Sequence, residues 1–333
     1  MNNKKQGEEK MKLNFVGITL VVAMLIACST KKEKQQSQDE EASGTTVAVS
    51  DAEANANTST NVIEVVARDF VFEAPDQLVS GWNTFRFTNN GKQEHFFYIY
   101  RLPDNKTFDQ FVQEAMVPFG TVWNEYASGQ ISRDSALVKF GTALPAWYVT
   151  EMVPSGGVGL TEAGETGETT VKLDPGLHVI ECYVKMPDGS WHTEQGMQQP
   201  LTVTTDSTSA EPPEADVELT LSNYKIDRKG AYRAGNQTIA IYVAENPQGF
   251  TMHNLDLFRL EDDTTTVQQI VKWMDWLDLE QFRAPAPGYS LGGIEPMAAG
   301  RTGYVTVNFR PGNYAWVSEG YGNKGMVETF TIE

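Results

Sequence analysis

An internal repeat is the feature that most constrains how this chain folds. His95 and the pair Arg101-Leu102 recur as His253 and Arg259-Leu260, at one separation of 158 positions (95 to 253, 101 to 259). Three turn motifs recur at a second separation of 136 positions (156 to 292, 164 to 300, 175 to 311): Gly156-Gly157 with Gly292-Gly293, Gly164 with Gly300, and Pro175-Gly176 with Pro311-Gly312. The repeat predicts two copies of one unit, the first with a longer middle insertion.

Each copy has the pattern of a mostly β-strand unit, because short β-branched and aromatic runs alternate with Gly, Pro and Asn turns. One helix is predicted in each copy, after the N-cap candidates Thr107 and Thr266. We therefore expect an all-β chain of two tandem Greek-key β-sandwiches, each with a short helical insertion. The predicted strands are Val62–Phe72, Thr84–Thr88, Phe96–Leu102, Glu168–Leu173 and Leu177–Val184, then Val217–Leu221, Thr238–Val243, Leu255–Leu260, Thr302–Phe309 and Tyr314–Ser318.

The N-terminus has the pattern of an export signal. An apolar run over 15–27 is shorter than the roughly 20 residues of a membrane span and ends at Leu25-Ile26-Ala27-Cys28. This ending resembles the lipobox of bacterial lipoproteins, which implies cleavage before Cys28 and a lipid on that cysteine. The alternative is an ordinary signal peptide or a span with an incidental cysteine. Residues 1–27 are predicted to be the signal peptide, and the Ser-, Thr-, Gln- and Glu-rich residues 28–60 a flexible tether.

The remaining chain is predicted to form two domains, 61–206 and 216–333, joined by a linker at 207–215. The formal net charge of −18 argues against nucleic acid as a partner, because no excess of cations is present to neutralise phosphates. The signal and the lipid predict a cell-envelope protein on the periplasmic or surface side of the outer membrane, with the membrane contacted through Cys28.

The cysteine content of the chain makes Cys182 a candidate metal ligand. Cys28 and Cys182 are the two cysteines of the chain, so lipidation of the first leaves Cys182 without a disulfide partner in an oxidising compartment. Such a thiol is either buried and inert or bound to a metal. Two imidazoles, a thiolate and a weak axial thioether favour copper, whereas zinc, the main alternative, binds thioether poorly. Taken singly, His95, Met197 and Cys182 are each more typical of a structural residue than of a metal ligand.

The order His95, Cys182, His192, Met197 resembles the type-1 (blue) copper site of the cupredoxins. In that family a first His follows an upstream turn, Cys ends a strand, and His and Met follow in the next loop. Trp191 before His192 makes the site most similar to the first domain of copper nitrite reductases. The resemblance implies one type-1 copper held by His95, Cys182, His192 and Met197, and electron exit through His192 on an exposed loop.

The second copy provides an internal comparison. Alignment of the Pro-Gly turns places Ser318 opposite Cys182, and Gly325-Met326 matches Gly196-Met197. His253 matches His95, but no second histidine occurs in the shorter loop. The second copy is therefore predicted to lack a complete copper site.

Electron transfer to an unidentified redox partner protein is the predicted function. The alternative is a binding, interaction or copper-sequestering lipoprotein without a redox role. A copper enzyme is not expected, because catalytic copper centres in this family need additional histidines and the chain has four. Glu181 also occupies the position before the cysteine where such a histidine usually stands.

Overall fold

The computed structural model describes residues 61–247, 252–260 and 266–333. The predicted signal peptide 1–27, the lipidation site Cys28 and the tether 28–60 lie outside these residues. Among the described residues, no helix is both long and apolar enough to cross a membrane. The division of the chain into domains at 207–215 stays a prediction.

Sixteen strands are present in the described part of the chain. The eight strands of the first half are β1 (Val62–Arg68), β2 (Val71–Glu73), β3 (Gln77–Asn89), β4 (His95–Arg101), β5 (Val153–Thr161), β6 (Thr166–Leu173), β7 (Gly176–Glu181) and β8 (Gln198–Ser207). The eight strands of the second half are β9 (Val217–Ser222), β10 (Lys225–Lys229), β11 (Gly235–Val243), β12 (Leu255–Leu260), β13 (Tyr289–Ile294), β14 (Thr302–Phe309), β15 (Gly312–Val317) and β16 (Val327–Ile332).

The strands form two sheets, and each sheet runs through both halves. One sheet has the order β10-β9-β11-β14-β6-β3, with β1 beside β3 and β2 beside β1. The other has the order β8-β7-β4-β5-β13-β12-β15-β16, and β3 joins both because its first residues pair with β8. The halves meet where β6 pairs with β14 and β5 pairs with β13.

The repeated Gly-Gly motif lies at this junction. Gly157 (φ 133°) on β5 and Gly293 (φ 146°) on β13 adopt a left-handed backbone that favours glycine. A Cβ atom on Gly157 would lie 1.8 Å from the Phe97 carbonyl oxygen, and one on Gly293 would lie 2.2 Å from that of Leu255. The motif therefore recurs because each copy needs the same close approach of two strands.

Both predicted helix starts are observed. Thr107 caps α1 (Phe108–Phe111) and Thr266 caps α5 (Val267–Trp273), each in a capping box with the glutamine three residues later. The first insertion continues through a π-helical turn at Val112–Met116 and three further helices, α2 (Val117–Ala127), α3 (Arg133–Ala143) and α4 (Ala146–Thr150). The prediction of one helix in the first copy was therefore wrong. The helices that begin after Ser132 and Pro145 lack a strong apolar stripe, so the sequence pattern did not indicate them.

The core lies between the sheets and extends beneath the helical insertion. In the first half, the buried rings of Phe85 and Phe97 from opposite sheets meet with centroids 5.3 Å apart. Burial of each such side chain contributes about 1.5–3 kcal/mol. The mostly β fold confirms the predicted fold class, and the two sheets position the loops that carry the candidate site.

Candidate metal centre

His95 is the first residue of β4 and is completely buried. Its Nε2 lies 3.1 Å from Asp69 Oδ1. Burial alone would raise the pKa of Asp69, but the hydrogen bonds from the Lys92 amide and from His95 outweigh it and lower that pKa. The ionised carboxylate only accepts hydrogen bonds, so the proton of neutral His95 is held on Nε2 and Nδ1 keeps a free lone pair.

Cys182 follows the last residue of β7 and is completely buried. Its amide donates to the carbonyl of Met197 over 3.1 Å, which joins the two ends of the loop 182–197. The strand therefore fixes the thiol, and the loop returns to it.

His192 starts a short 3-10 helix, His192–Gln195, within that loop. Its Nε2 lies 3.0 Å from Gln93 Oε1, a carbonyl that only accepts, so this ring also carries its proton on Nε2. The carbonyl of His192 accepts the amide of Met197 over 3.0 Å. Met197 is completely buried and is thus bonded through its backbone to both Cys182 and His192.

Three donor atoms converge on one point. Cys182 Sγ lies 3.5 Å from His192 Nδ1 and 3.7 Å from His95 Nδ1. Among the described residues, this trio is the one cluster of His, Cys, Asp and Glu side chains whose donor atoms all lie within 4.8 Å of one another. A nitrogen bound about 2.0–2.1 Å and a sulfur bound about 2.3 Å from one metal ion lie roughly 3.5–3.8 Å apart at tetrahedral or trigonal angles, so both distances to Cys182 Sγ fit a shared metal.

The pKa values of the three donors follow from their burial. Burial raises the pKa of the Cys182 thiol. It lowers the pKa of His192 to about 3, with a further contribution from His95, and it lowers the pKa of His95 despite the opposing carboxylate of Asp69. The imidazoles are therefore neutral and ready to bind a metal ion, and the thiol would release its proton to solvent when a metal cation takes the proton's place.

The loop that carries His192 is exposed at Glu194, Gln195 and Gly196, but the His192 side chain is not exposed, contrary to the expectation for electron exit. Its side chain is completely buried, and the ring of Phe70 covers it at a centroid distance of 4.9 Å. Phe70, Asp69 and Gln93 are partly exposed and contact the two imidazoles. These three residues therefore lie between the imidazoles and solvent on this side of the site.

The second half supports the ligand loop through Lys185. This lysine is completely buried, and Nζ donates to three backbone carbonyls, those of Trp276 (2.6 Å), Asp278 (2.8 Å) and Gln281 (3.1 Å). Nζ also lies 4.8 Å from the ring centroid of Trp191, beside His192. Burial, and then the charge of Arg283, lowers the pKa of Lys185 to about 7.

A second connection runs through the residue before His95. The carboxylate of Glu94 is buried, and its Oε1 accepts the amide of Ala286 over 2.7 Å. Both segments that carry imidazole ligands are therefore bonded to residues of the second half.

The equivalent position of the second half has the same backbone hydrogen bonds but lacks the thiol and the second imidazole. Ser318 donates its amide to the carbonyl of Met326 over 3.0 Å, as Cys182 does to Met197. Met326 in turn donates to the carbonyl of Tyr321, which occupies the place of His192. The Tyr321 ring packs on His253 at 5.4 Å. A hydroxyl and a phenol thus stand where the first half has a thiol and an imidazole.

The structure brings together three of the four predicted ligands, His95, Cys182 and His192. Sequence reasoning missed Asp69 and Gln93, which hold the two imidazoles. Val62–Phe72 was predicted as one strand, yet β1 ends at Arg68 and β2 begins at Val71, and the intervening turn brings Asp69 to His95. The adjacent charged residues Arg68 and Asp69 were the signal for this break within a run of mostly apolar residues.

Comparisons with known proteins give similarities to solved copper proteins only at low identity. No protein-family model matches the chain, and no curated protein matches it. Auracyanin B is 21% identical over 35% of this chain and 86% of its own, with a TM-score of 0.26. Auracyanin from Roseiflexus castenholzii is 18% identical over 44% of this chain and 98% of its own (TM-score 0.24). A multicopper oxidase is 12% identical over 82% of this chain and 88% of its own (TM-score 0.22). At these values the assignment rests on the geometry of the site.

Proposed function

We propose that this protein transfers electrons through one copper ion held in its first half, and that a lipid on Cys28 anchors it in the cell envelope. The observation that carries the proposal is the convergence of one buried thiol and two imidazole Nδ1 atoms, with both Nε2 atoms hydrogen-bonded outward. Met197 completes the predicted ligand set. Bound copper would supply a one-electron redox couple.

The protein's own residues keep the ligand geometry constant during electron transfer. Asp69 and Gln93 fix the tautomer and orientation of the two imidazoles. The bonds of Met197 to Cys182 and His192 close the loop. A site that cannot rearrange favours rapid electron transfer, since little reorganisation accompanies the change of charge.

The electron's path to a partner protein is proposed to cross the surface formed by Phe70, Asp69 and Gln93. These side chains contact both imidazoles and are themselves partly exposed. The acidic chain, with a net charge of −18, suits a partner with a basic docking surface, because complementary charge accelerates encounter.

Addition of Cu(II) to the full chain tests the proposal. We expect one copper per chain and an intense visible absorption from the thiolate–copper bond, which Cys182→Ser abolishes. Ser318→Ala at the equivalent position of the second half is the matched control and should leave the band unchanged. An unchanged band in Cys182→Ser would overturn the assignment of the thiolate.

A reversible one-electron potential distinguishes a carrier from a copper-sequestering protein. We expect voltammetry of the copper-loaded chain to give one reversible couple. Tight copper binding without such a couple would contradict electron transfer and support sequestration. Radiolabelled palmitate incorporation that is lost in Cys28→Ala would support the lipid anchor.

A further inference from the structure

A cavity of about 160 Å³ lies next to the candidate metal centre, and neither Asp69 nor Gln93 is among the residues that line it. Its lining includes Glu181 and Tyr183, the two neighbours of Cys182, and Trp191 and Thr193, the two neighbours of His192. None of the four candidate ligands lines it. It is therefore a compartment separate from the metal centre, formed by the same loop.

Three parts of the molecule enclose the cavity. Tyr98 and Tyr100 come from β4, Tyr148 comes from the helical insertion, and Trp276 and Glu319 come from the second half. The helical insertion and the second half both contribute walls, so neither half contains the complete cavity.

Aromatic rings dominate the walls. Tyr98 packs on Tyr100 with centroids 4.9 Å apart, and on Tyr183 with centroids 6.4 Å apart. Tyr148 and Tyr100 both pack on Phe111. Neutral tyrosine and tryptophan rings present negative faces, which attract organic cations.

Two carboxyl groups complete the lining. Glu181 and Glu319 are only 6% and 4% exposed. Glu319 Oε2 accepts a hydrogen bond from the Tyr183 hydroxyl over 3.3 Å. Burial raises the pKa of Glu319, and repulsion from Asp256 raises it further. Both effects favour the neutral acid, and a cation bound in the cavity would oppose them by stabilising the ionised carboxylate.

We propose that this cavity binds a small organic monocation of the alkylammonium class. The volume is close to that of a cavity of about 150 Å³ that accommodates benzene, so a ligand of roughly six to eight non-hydrogen atoms fits. Aromatic walls with two carboxyl groups distinguish such a cation from an anion or an alkane. The proposal does not depend on copper.

Choline and its uncharged isostere 3,3-dimethylbutan-1-ol are suitable probes, because they share a shape and differ in charge. In isothermal titration calorimetry with the full chain, we expect choline to bind roughly tenfold more tightly than the isostere. Equal affinities, or no binding of choline, would overturn the proposal. This comparison uses the unmodified protein and does not depend on any variant folding.

A carboxylate substitution locates the binding site. Glu319→Gln keeps the shape of the side chain, and we expect it to weaken choline binding by roughly tenfold. Glu218→Gln removes an exposed carboxylate on β9 and is the matched control, which should retain full affinity. Unchanged binding in Glu319→Gln, or an equal loss in both variants, would contradict a site in this cavity.

Discussion

The two halves of the molecule share one backbone design, and at the four positions of the candidate metal centre they differ in two side chains. The first half has His95, Cys182, His192 and Met197, and the second has His253, Ser318, Tyr321 and Met326, with the same backbone hydrogen bonds between the last three members of each set. The fold therefore does not require the metal donors. The second half instead contributes support, because its carbonyls hold Lys185 and its Ala286 amide holds Glu94.

Removal of the Lys185 ammonium should have the largest effect on stability. Lys185→Met keeps the length of the side chain but leaves three buried carbonyls without their donor, so we expect a loss of about 3 kcal/mol in the free energy of unfolding. Chemical denaturation of the metal-free chain measures this change, and the copper absorption band should also shift as the loop loosens.

The control for this variant is Lys139→Met, which removes an exposed lysine that pairs with Glu125 on the helical insertion. It should change stability by no more than about 0.5 kcal/mol. Equal losses in the two variants would show that the second half does not hold the ligand loop.

The next effect concerns the orientation of His95. Asp69→Asn can donate a hydrogen bond to Nε2 and so move the imidazole proton to Nδ1, the atom needed for the metal. We expect copper affinity to fall by about 10–100-fold, measured by competition with a chelator. His253→Ala is the comparison from the second half and should leave both affinity and stoichiometry unchanged; a change there would mean that the second half also binds copper.

The smallest predicted effect concerns how the free energy of unfolding depends on pH. It arises from His178, whose counterpart in the second half is Tyr314, 136 positions later. Burial lowers the pKa of His178 to about 4, below its ordinary value of about 6.5. The unfolded chain therefore binds this proton first as pH falls, and the stability from this group is full above pH 6.5 and is lost between pH 6.5 and 4. From pH 7 to 5 we expect a loss of about 1–2 kcal/mol from this histidine.

His178→Tyr, which places the second half's residue in the first half, should reduce that loss. Unfolding free energies at pH 7 and pH 5 measure it for both proteins. His178 is buried at β7 with Nδ1 3.2 Å from the carbonyl of Gly176, whereas the Tyr314 hydroxyl donates to the carbonyl of Arg310. An identical pH slope in the variant would show that other groups control acid stability.

Local patterns were sufficient for much of this structure. Leu255–Leu260 and Thr302–Phe309 were predicted with their observed bounds, and Thr107 and Thr266 with their capping role, because alternation and caps are encoded by near neighbours. The grouping of His95, Cys182 and His192 could also be predicted, because their order and spacing along the chain are typical of one metal site.

Long-range contacts explain what could not be predicted. Lys185 had no local signal, since its three acceptors lie about ninety or more positions away. The strand β5 (Val153–Thr161) was missed because its glycines resemble a turn, although they serve a close strand approach. The burial of His192 likewise depends on Phe70, which the sequence places far away.

The sheets that run through both halves also determine whether the metal-binding half can exist alone. Division of the molecule between β6 and β14 and between β5 and β13 would uncover four rows of backbone N–H and C=O groups at once. Open edges of this kind recruit strands from other chains. A fragment limited to 61–206 would therefore be prone to aggregation, and the gain or loss of such a half during evolution would require new edge protection as well as new ligands.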